Sequence, residues 1–154
     1  MTVLVFDLGN SRWKWALADH GLRAPGTAQD YGTDFARTLD QALATQPRPA
    51  RAAGVTVASG AHAATLAAWL ERRWGLGLEL FSAAARQGGV ANSYREPEQL
   101  GADRWVALVA ARARTRTAAC VVDAGTAVTI DALAADGLFR GGVILPGLLL
   151  QRAA

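Results

Sequence analysis

The amino-acid sequence predicts an α/β fold made of two related halves, and three observations carry that prediction. The stretch Val3-Leu-Val-Phe-Asp7-Leu-Gly9-Asn10-Ser11-Arg-Trp-Lys14 reads as a strand, a sharp polar tip and a second strand. The pattern recurs late in the chain as Val121-Val-Asp123-Ala-Gly125-Thr126-Ala-Val-Thr-Ile-Asp131-Ala-Leu133. Between the two copies, short β-like runs alternate with amphipathic helical segments, the signature of a layered α/β fold.

In the first copy, four apolar residues form a strand that ends abruptly on the carboxylate of Asp7. Gly9 accepts backbone angles closed to other residues, and Asn10 and Ser11 are turn formers. After them Trp13, Trp15 and Leu17 alternate with Arg12, Lys14 and Ala16, the two-residue period of a strand. The tip therefore offers a carboxylate, turn N–H groups and small polar side chains. Turn N–H groups make an anion-binding concavity, and a carboxylate beside it suits the Mg²⁺ that accompanies a phosphate. One such hairpin would be unremarkable chemistry for a turn. The second copy changes the balance, because Asp7 falls on Asp123, Gly9 on Gly125, Asn10 on Thr126 and Ala16-Leu17 on Ala132-Leu133.

Between the copies, residues 24–32 read as a turn or short strand, and His20 between Asp19 and Gly21 as hairpin-turn chemistry. Thr33-Asp34 is placed to cap a helix with Phe35, Leu39 and Leu43 on one face, which Pro47 and Pro49 close off. A strand over Ala53–Ala58, a turn at Ser59-Gly60, a helix over Ala63–Trp74 and a strand over Leu78–Phe81 follow, with His62 as a surface or capping residue. Residues 82–99 carry no periodicity, and a long irregular stretch in a compact chain is usually functional or disordered. Gly101-Ala-Asp-Arg-Trp105 then opens a helix through Val106, Leu108, Val109 and Ala113. Asp103 at its start reads either as a carboxylate favoured by the helix dipole or as a catalytic base, and spacing alone favours the former. After the second tip come a hairpin turn at Asp136-Gly137, a strand running into the corner Pro146-Gly147, and three leucines that resemble the opening of a helix. Nothing helical covers this second sheet, so the natural protein is expected to be longer.

Composition bounds the function. With 154 residues, 51% apolar and 19% charged, the chain is globular and of single-domain size. An 18-residue apolar run and a basic leader are both missing from the sequence, which argues against a membrane span and a secretory signal. Cys120, the single cysteine, reads as a buried core thiol, and one cysteine allows no internal disulfide, which fits a reducing cytoplasm. The pI of 9.7 invites a nucleic-acid partner, but the net charge is only +3 and the cluster Arg112, Arg114 and Arg116 reads as a solvated helix end. Lys14, the only lysine, lies beside the first tip.

With these motifs in hand, the chain resembles the type III pantothenate kinases of the actin/hexokinase-like ATPase superfamily. The matching stretches are Asp7-x-Gly9-Asn10-Ser11-x-x-Lys14; Tyr94 before Gly101-Ala-Asp103-Arg104; Asp123-Ala-Gly125-Thr126-Ala-x-Thr-x-Asp131; and Gly141-Gly-x-Ile144-x-Pro146-Gly147. Ser11 stands where the family usually has threonine, and the hydroxyl is kept. The resemblance implies a ribonuclease-H-like (actin-like ATPase) domain over residues 1–116, a mixed five-stranded sheet with helices, followed over 117–154 by the start of a second, similar domain that is cut short. It implies ATP held by Asp7, Leu8, Gly9, Asn10, Ser11, Arg12, Trp13 and Lys14 and by Thr126. Mg²⁺ would sit at Asp7 through the phosphate, and a monovalent cation, potassium or ammonium, at Asp123.

By the same resemblance, Tyr94, Gly101, Ala102, Asp103 and Arg104 would contact pantothenate. Asp103 would be the base that accepts the pantothenate hydroxyl proton, which replaces the capping reading. Arg104 would keep that carboxylate ionised or bind the pantothenate carboxylate. The expected activity is ATP-dependent phosphorylation of pantothenate, the first step of coenzyme A biosynthesis, by a cytoplasmic homodimer. Because the family's chains run past the point where this one ends, the 154-residue chain alone is expected to be weakly active or inactive. The alternative is an ATP-binding accessory factor in transcriptional regulation, against which the intact Asp7, Asp103, Asp123 and Thr126 argue. A sugar or acetate kinase of the same superfamily is disfavoured by the spacing from Tyr94 to Arg104. A nucleic-acid-binding module, whose affinity would fall steeply with salt, has little support.

Overall fold

In the computed structural model, residues 1–19, 22–25 and 28–153 are described, and they form two compact units, Met1–Phe81 and Ser82–Ala154. The hairpin turn expected at His20 lies outside the described residues. The first unit contains strands β1 (Val3–Leu8), β2 (Arg12–Ala18), β3 (Leu22–Pro25), β4 (Gln29–Asp30), β5 (Arg51–Thr56) and β6 (Leu78–Leu80), with helices α1 (Phe35–Leu43) and α2 (Gly60–Trp74). Its sheet runs β3-β2-β1-β5-β6, antiparallel among the first three and parallel from β1 to β6, with the short β4 pairing the tip end of β2. This is the expected mixed five-stranded sheet with helices, extended by one two-residue strand.

One face of that sheet is the core. The register sets Leu4 opposite Leu17, Phe6 opposite Trp15 and Leu8 opposite Trp13, so these side chains share a face. Leu39 and Leu43 of α1 and Leu66, Trp69 and Leu70 of α2 pack on it. Asp34 caps α1 through its side chain, which accepts from Arg37 N at 3.2 Å, as its position before an apolar stripe predicts. Gly75, left-handed at φ 64°, closes α2. Trp69 Nε1 donates to Asp40 Oδ1 at 2.7 Å and ties the two helices together.

The second unit begins with a two-residue hairpin, β7 (Arg86–Gln87) and β8 (Val90–Ala91), and a turn of 3₁₀ helix at Pro97–Gln99. Residues 82–99 are therefore ordered around a tight Gly88-Gly89 turn and are not the structureless stretch expected. Helix α3 (Ala102–Arg114), strands β9 (Ala119–Ala124), β10 (Ala127–Leu133) and β11 (Phe139–Pro146) and helix α4 (Leu148–Ala153) complete the unit. The three strands form an antiparallel meander, β11-β10-β9. Trp105 and Leu108 of α3 pack with Val90, Leu100, Leu133 and Phe139, so α3 belongs to the second core. The boundary expected after residue 116 thus falls inside this unit.

Two expectations are corrected here. Cys120 is exposed, not buried, because α3 packs on the face of β9 that carries Ala119 and Val121. Cys120 and Val122 occupy the places that Leu4 and Phe6 hold in β1, on the face that helices cover in the first unit and that is open in the second. Arg112 is not solvated. It is 8% exposed, and its Nη1 donates to the carbonyls of Ala135 at 2.8 Å and Arg116 at 3.2 Å.

The central ladder leaves no room beside Phe6: a Cβ at Gly54 would lie 2.6 Å from Phe6 O and 2.9 Å from Phe6 Cβ. Gly54→Ala is expected to lower stability by about 1–3 kcal/mol through this overpacking, read as a lower urea midpoint at unchanged slope.

Candidate functional site

The first tip is built by β1 and β2. Gly9 N donates to Arg12 O at 3.0 Å, which closes the turn and leaves Asn10 and Ser11 exposed at its apex. The register puts Asp7 directly opposite Lys14, and Lys14 Nζ meets Asp7 Oδ2 at 3.0 Å. Both side chains are partly open to solvent, 34% for Asp7 and 52% for Lys14, so the pair adds little stability and remains accessible to a ligand. Arg12 pairs with Asp30 of β4 at 3.1 Å. Leu8 and Trp13, predicted as contacts, are core side chains with no exposure. Only their backbone can serve a ligand.

A residue that the sequence did not single out lies beneath this tip. Tyr31, directly after β4, donates its hydroxyl to Gly9 O at 2.7 Å. Its ring stacks flat on His62, with centroids 3.7 Å apart and planes 6° apart, and meets Phe35 edge-on at 4.9 Å. His62 is therefore a packing partner of Tyr31, not the surface or capping residue expected. Burial first, then the nearby negative charge of Asp7, pushes the Tyr31 hydroxyl up to about 12. No periodicity announces Tyr31, since its place follows from β4 pairing with Arg12 and Trp13.

The second tip is shorter. Gly125 N donates to Ala127 O at 2.8 Å, and Thr126 is exposed at the apex. Asp123 lies exposed near the end of β9, opposite Thr129. Behind the tip, Gly147 N donates to Thr126 O at 2.9 Å, and a Cβ at Gly147 would collide with the carbonyls of Gly125 and Thr126. The last glycine of the fourth motif is thus a close approach between β11 and this tip.

The predicted substrate segment assembles around a buried ion pair. Gly101 caps α3, and Asp103 and Arg104 occupy its first turn. Asp103, half-buried, accepts from Arg104 N at 2.7 Å through Oδ1. The Arg104 side chain turns inward: Nε reaches Asp131 Oδ2 at 3.0 Å, and Nη2 reaches Oδ1 at 2.5 Å. Arg104 is 7% exposed and Asp131 1%. The hydrogen bond to Asp131 raises the guanidinium above its ordinary range against the opposing effect of burial. Arg104 also lies over the Phe139 ring at 5.9 Å, and Tyr94 lies against the same ring at 5.8 Å. Tyr94 is set in turn by Asn92, whose side chain accepts from Tyr94 N and donates to Pro97 O.

Arg104 is therefore committed to Asp131. Asp131 lies in the third motif, but the sequence reading gave it no role. The available signal was a carboxylate at an inward position of an apolar strand, matched by an arginine at an inward position of an apolar helix. Gly142, opposite Asp131 in β11, leaves the space for this pair, since a Cβ there would collide with Asp131 Oδ1 and lie 2.8 Å from Arg104 Nη2.

Among the described residues, no helix is long and apolar enough to cross a membrane, and no group of three or more His, Cys, Asp or Glu is placed to hold a metal ion. An open pocket of about 350 Å³ beside the β7–β8 turn is lined by Arg86 to Ala91 and Asp136 and includes none of the predicted site residues.

Comparison with known proteins adds a family. The model of a family described as type III pantothenate kinase matches residues 3–154. A protein of that description from Halorhodospira halophila is 43% identical over 157 residues, covering 98% of this chain and 62% of the relative. Another, from Aromatoleum aromaticum, is 44% identical over 154 residues, covering 99% of this chain and 62% of the relative. The chain thus spans about three fifths of the length of these relatives. Among solved structures, the Ppx/GppA phosphatase of Aquifex aeolicus, type II variant, matches with a TM-score of 0.51 at 17% identity, over 97% of this chain and 53% of that one. A candidate 2-dehydro-3-deoxygalactonokinase from Sinorhizobium meliloti matches with a TM-score of 0.51 at 18% identity, over 92% and 52% of the two chains. These likenesses concern the fold, which is that of an actin-like ATPase domain.

Two outcomes follow from this geometry. Gly142→Ala is expected to cost on the order of 3–5 kcal/mol, the scale of a broken buried ion pair, measured by chemical denaturation. The fold favours the protonated Tyr31 hydroxyl, raised from the ordinary 10.0 to about 12, so its contribution is complete below pH 10 and is lost as the pH climbs through 12. Between those values the protein should lose roughly 2–3 kcal/mol more than Tyr31→Phe does, read from denaturation midpoints of the two.

Proposed function

The chain belongs to the type III pantothenate kinase family, and from that premise we propose that the protein transfers the γ-phosphoryl group of ATP to the hydroxyl of pantothenate. The observation that carries the reading is the first tip, where a carboxylate, an ammonium group and exposed turn residues gather at one end of the sheet. Phosphoryl transfer requires mainly alignment of the attacking oxygen and neutralisation of developing charge. Asp7 to Lys14 and Thr126 are assigned to the nucleotide, with Lys14 as the cation nearest the phosphates. The turn amides of the first tip would serve as donors.

The donor set fits the metal ions of this chemistry. Mg²⁺ is ordinarily held by one or two carboxylates together with substrate phosphates, and Asp7 is one partly exposed carboxylate beside the tip. Mg²⁺ there would neutralise phosphate charge. Asp123, an exposed carboxylate by the second tip, is assigned the monovalent cation, potassium or ammonium.

Tyr94, Gly101, Ala102, Asp103 and Arg104 are assigned to pantothenate. Asp103 would accept the hydroxyl proton, and its half-buried carboxylate in the first turn of α3 supports that role. The Arg104 guanidinium, fixed by Asp131 in its present arrangement, is better suited to hold the start of α3 in place than to swing toward Asp103. A cytoplasmic homodimer completes the reading.

The test is pantothenate-dependent ADP release with Mg²⁺ and potassium. Asp103→Asn is expected to lower turnover about 10²–10⁴-fold while the KM for ATP stays unchanged. Turnover that survives this substitution would remove Asp103 from the role of base.

A further inference from the structure

We infer that Tyr31 is a positioning residue for the nucleotide: its hydroxyl fixes the Gly9 carbonyl and thereby aims the Asn10 N–H at a phosphate of the bound triphosphate. The inference rests on the reading of the first tip as a phosphate site. A peptide unit is planar and trans, so the carbonyl of Gly9 and the N–H of Asn10 point in opposite directions from one rigid plate. Tyr31 Oη holds that carbonyl at 2.7 Å from beneath. The Asn10 N–H is thereby turned away from the core, toward the side where Asn10 and Ser11 are exposed. The Gly9 N–H is already taken by Arg12 O at 3.0 Å, which leaves the Asn10 amide as the one whose direction Tyr31 sets.

The hydroxyl has little freedom to do otherwise. Tyr31 is 7% exposed, its ring stacks on His62 and meets Phe35 edge-on, and its own carbonyl accepts from Thr38 Oγ1 at 3.1 Å. Strand β4, directly before it, is paired with Arg12 and Trp13 beside the tip. A turn of three residues would otherwise sample several peptide orientations, and each would reduce the fraction of molecules ready to bind. Tyr31 works from the core side and needs no contact with the ligand.

Tyr31→Phe keeps the stacked ring and removes the one hydrogen bond. In the full-length protein, the KM for ATP and the Kd for ADP, read by calorimetry, are expected to rise about tenfold, while the KM for pantothenate stays within twofold. Leu66→Val is the control for stability, since it loosens the same core without touching the hydroxyl. It should lower Tm and leave the ATP constants alone. Unchanged nucleotide constants in Tyr31→Phe would overturn the inference, as would equal rises for both substrates or the same nucleotide defect in Leu66→Val. A wild-type protein that binds ADP only through groups away from the tip, shown by unchanged affinity in Asp7→Asn and Lys14→Ala, would overturn the reading of the tip and this inference with it.

Discussion

Strand β1 is hydrogen-bonded along both edges, antiparallel to β2 and parallel to β5, and the polar groups of the first unit depend on that double ladder. A strand paired on both sides cannot slide, because a one-residue slip would move its whole apolar set to the other face. Leu4, Phe6 and Leu8 are held against α1 and α2, so Asp7 must project from the opposite face, opposite Lys14 and next to the turn. The core thus sets the position of the charge. Two rows of backbone bonds and a few buried apolar residues hold one carboxylate where a phosphate could use it.

The second unit solves a different problem. A guanidinium with almost no access to water needs a counter-ion and full hydrogen bonding. Asp131 supplies both through a forked contact, at the cost of excluding any side chain from the facing position of β11. Two glycines of the fourth motif are therefore spacers: Gly142 gives room to the ion pair and Gly147 lets the chain approach the second tip. A run that looks permissive in sequence is a place where three segments crowd together.

Much of this was legible in the sequence. The two tips and the α1 stripe of Phe35, Leu39 and Leu43 under its Asp34 cap follow from local patterns, the mixed sheet follows from the family resemblance, and the structure has all three. The failures share one cause: local patterns do not say what an element packs against. Alternation in β9 leaves open which face is covered, and α3 lies on the side away from Cys120. Arg112 looked like one of three helix-end arginines, yet the Ala135 carbonyl draws it inward from twenty-three residues away. His62 and Tyr31 meet only because α2 and the segment after β4 converge. Asp131 and Arg104 are a pair that tertiary packing creates.

The scarcity of lysine has a practical side. The described chain offers amine-directed reagents two groups: the Lys14 ε-amine beside Asp7, and the Met1 amine, which is held by Asp19 at 2.8 Å. Reductive methylation with ¹³C-labelled formaldehyde would therefore place one isotopic reporter inside the candidate phosphate tip and a second at the chain's start, distinguishable by chemical shift. A chain rich in arginine and poor in lysine thus provides a nearly background-free spectroscopic window on its own first turn.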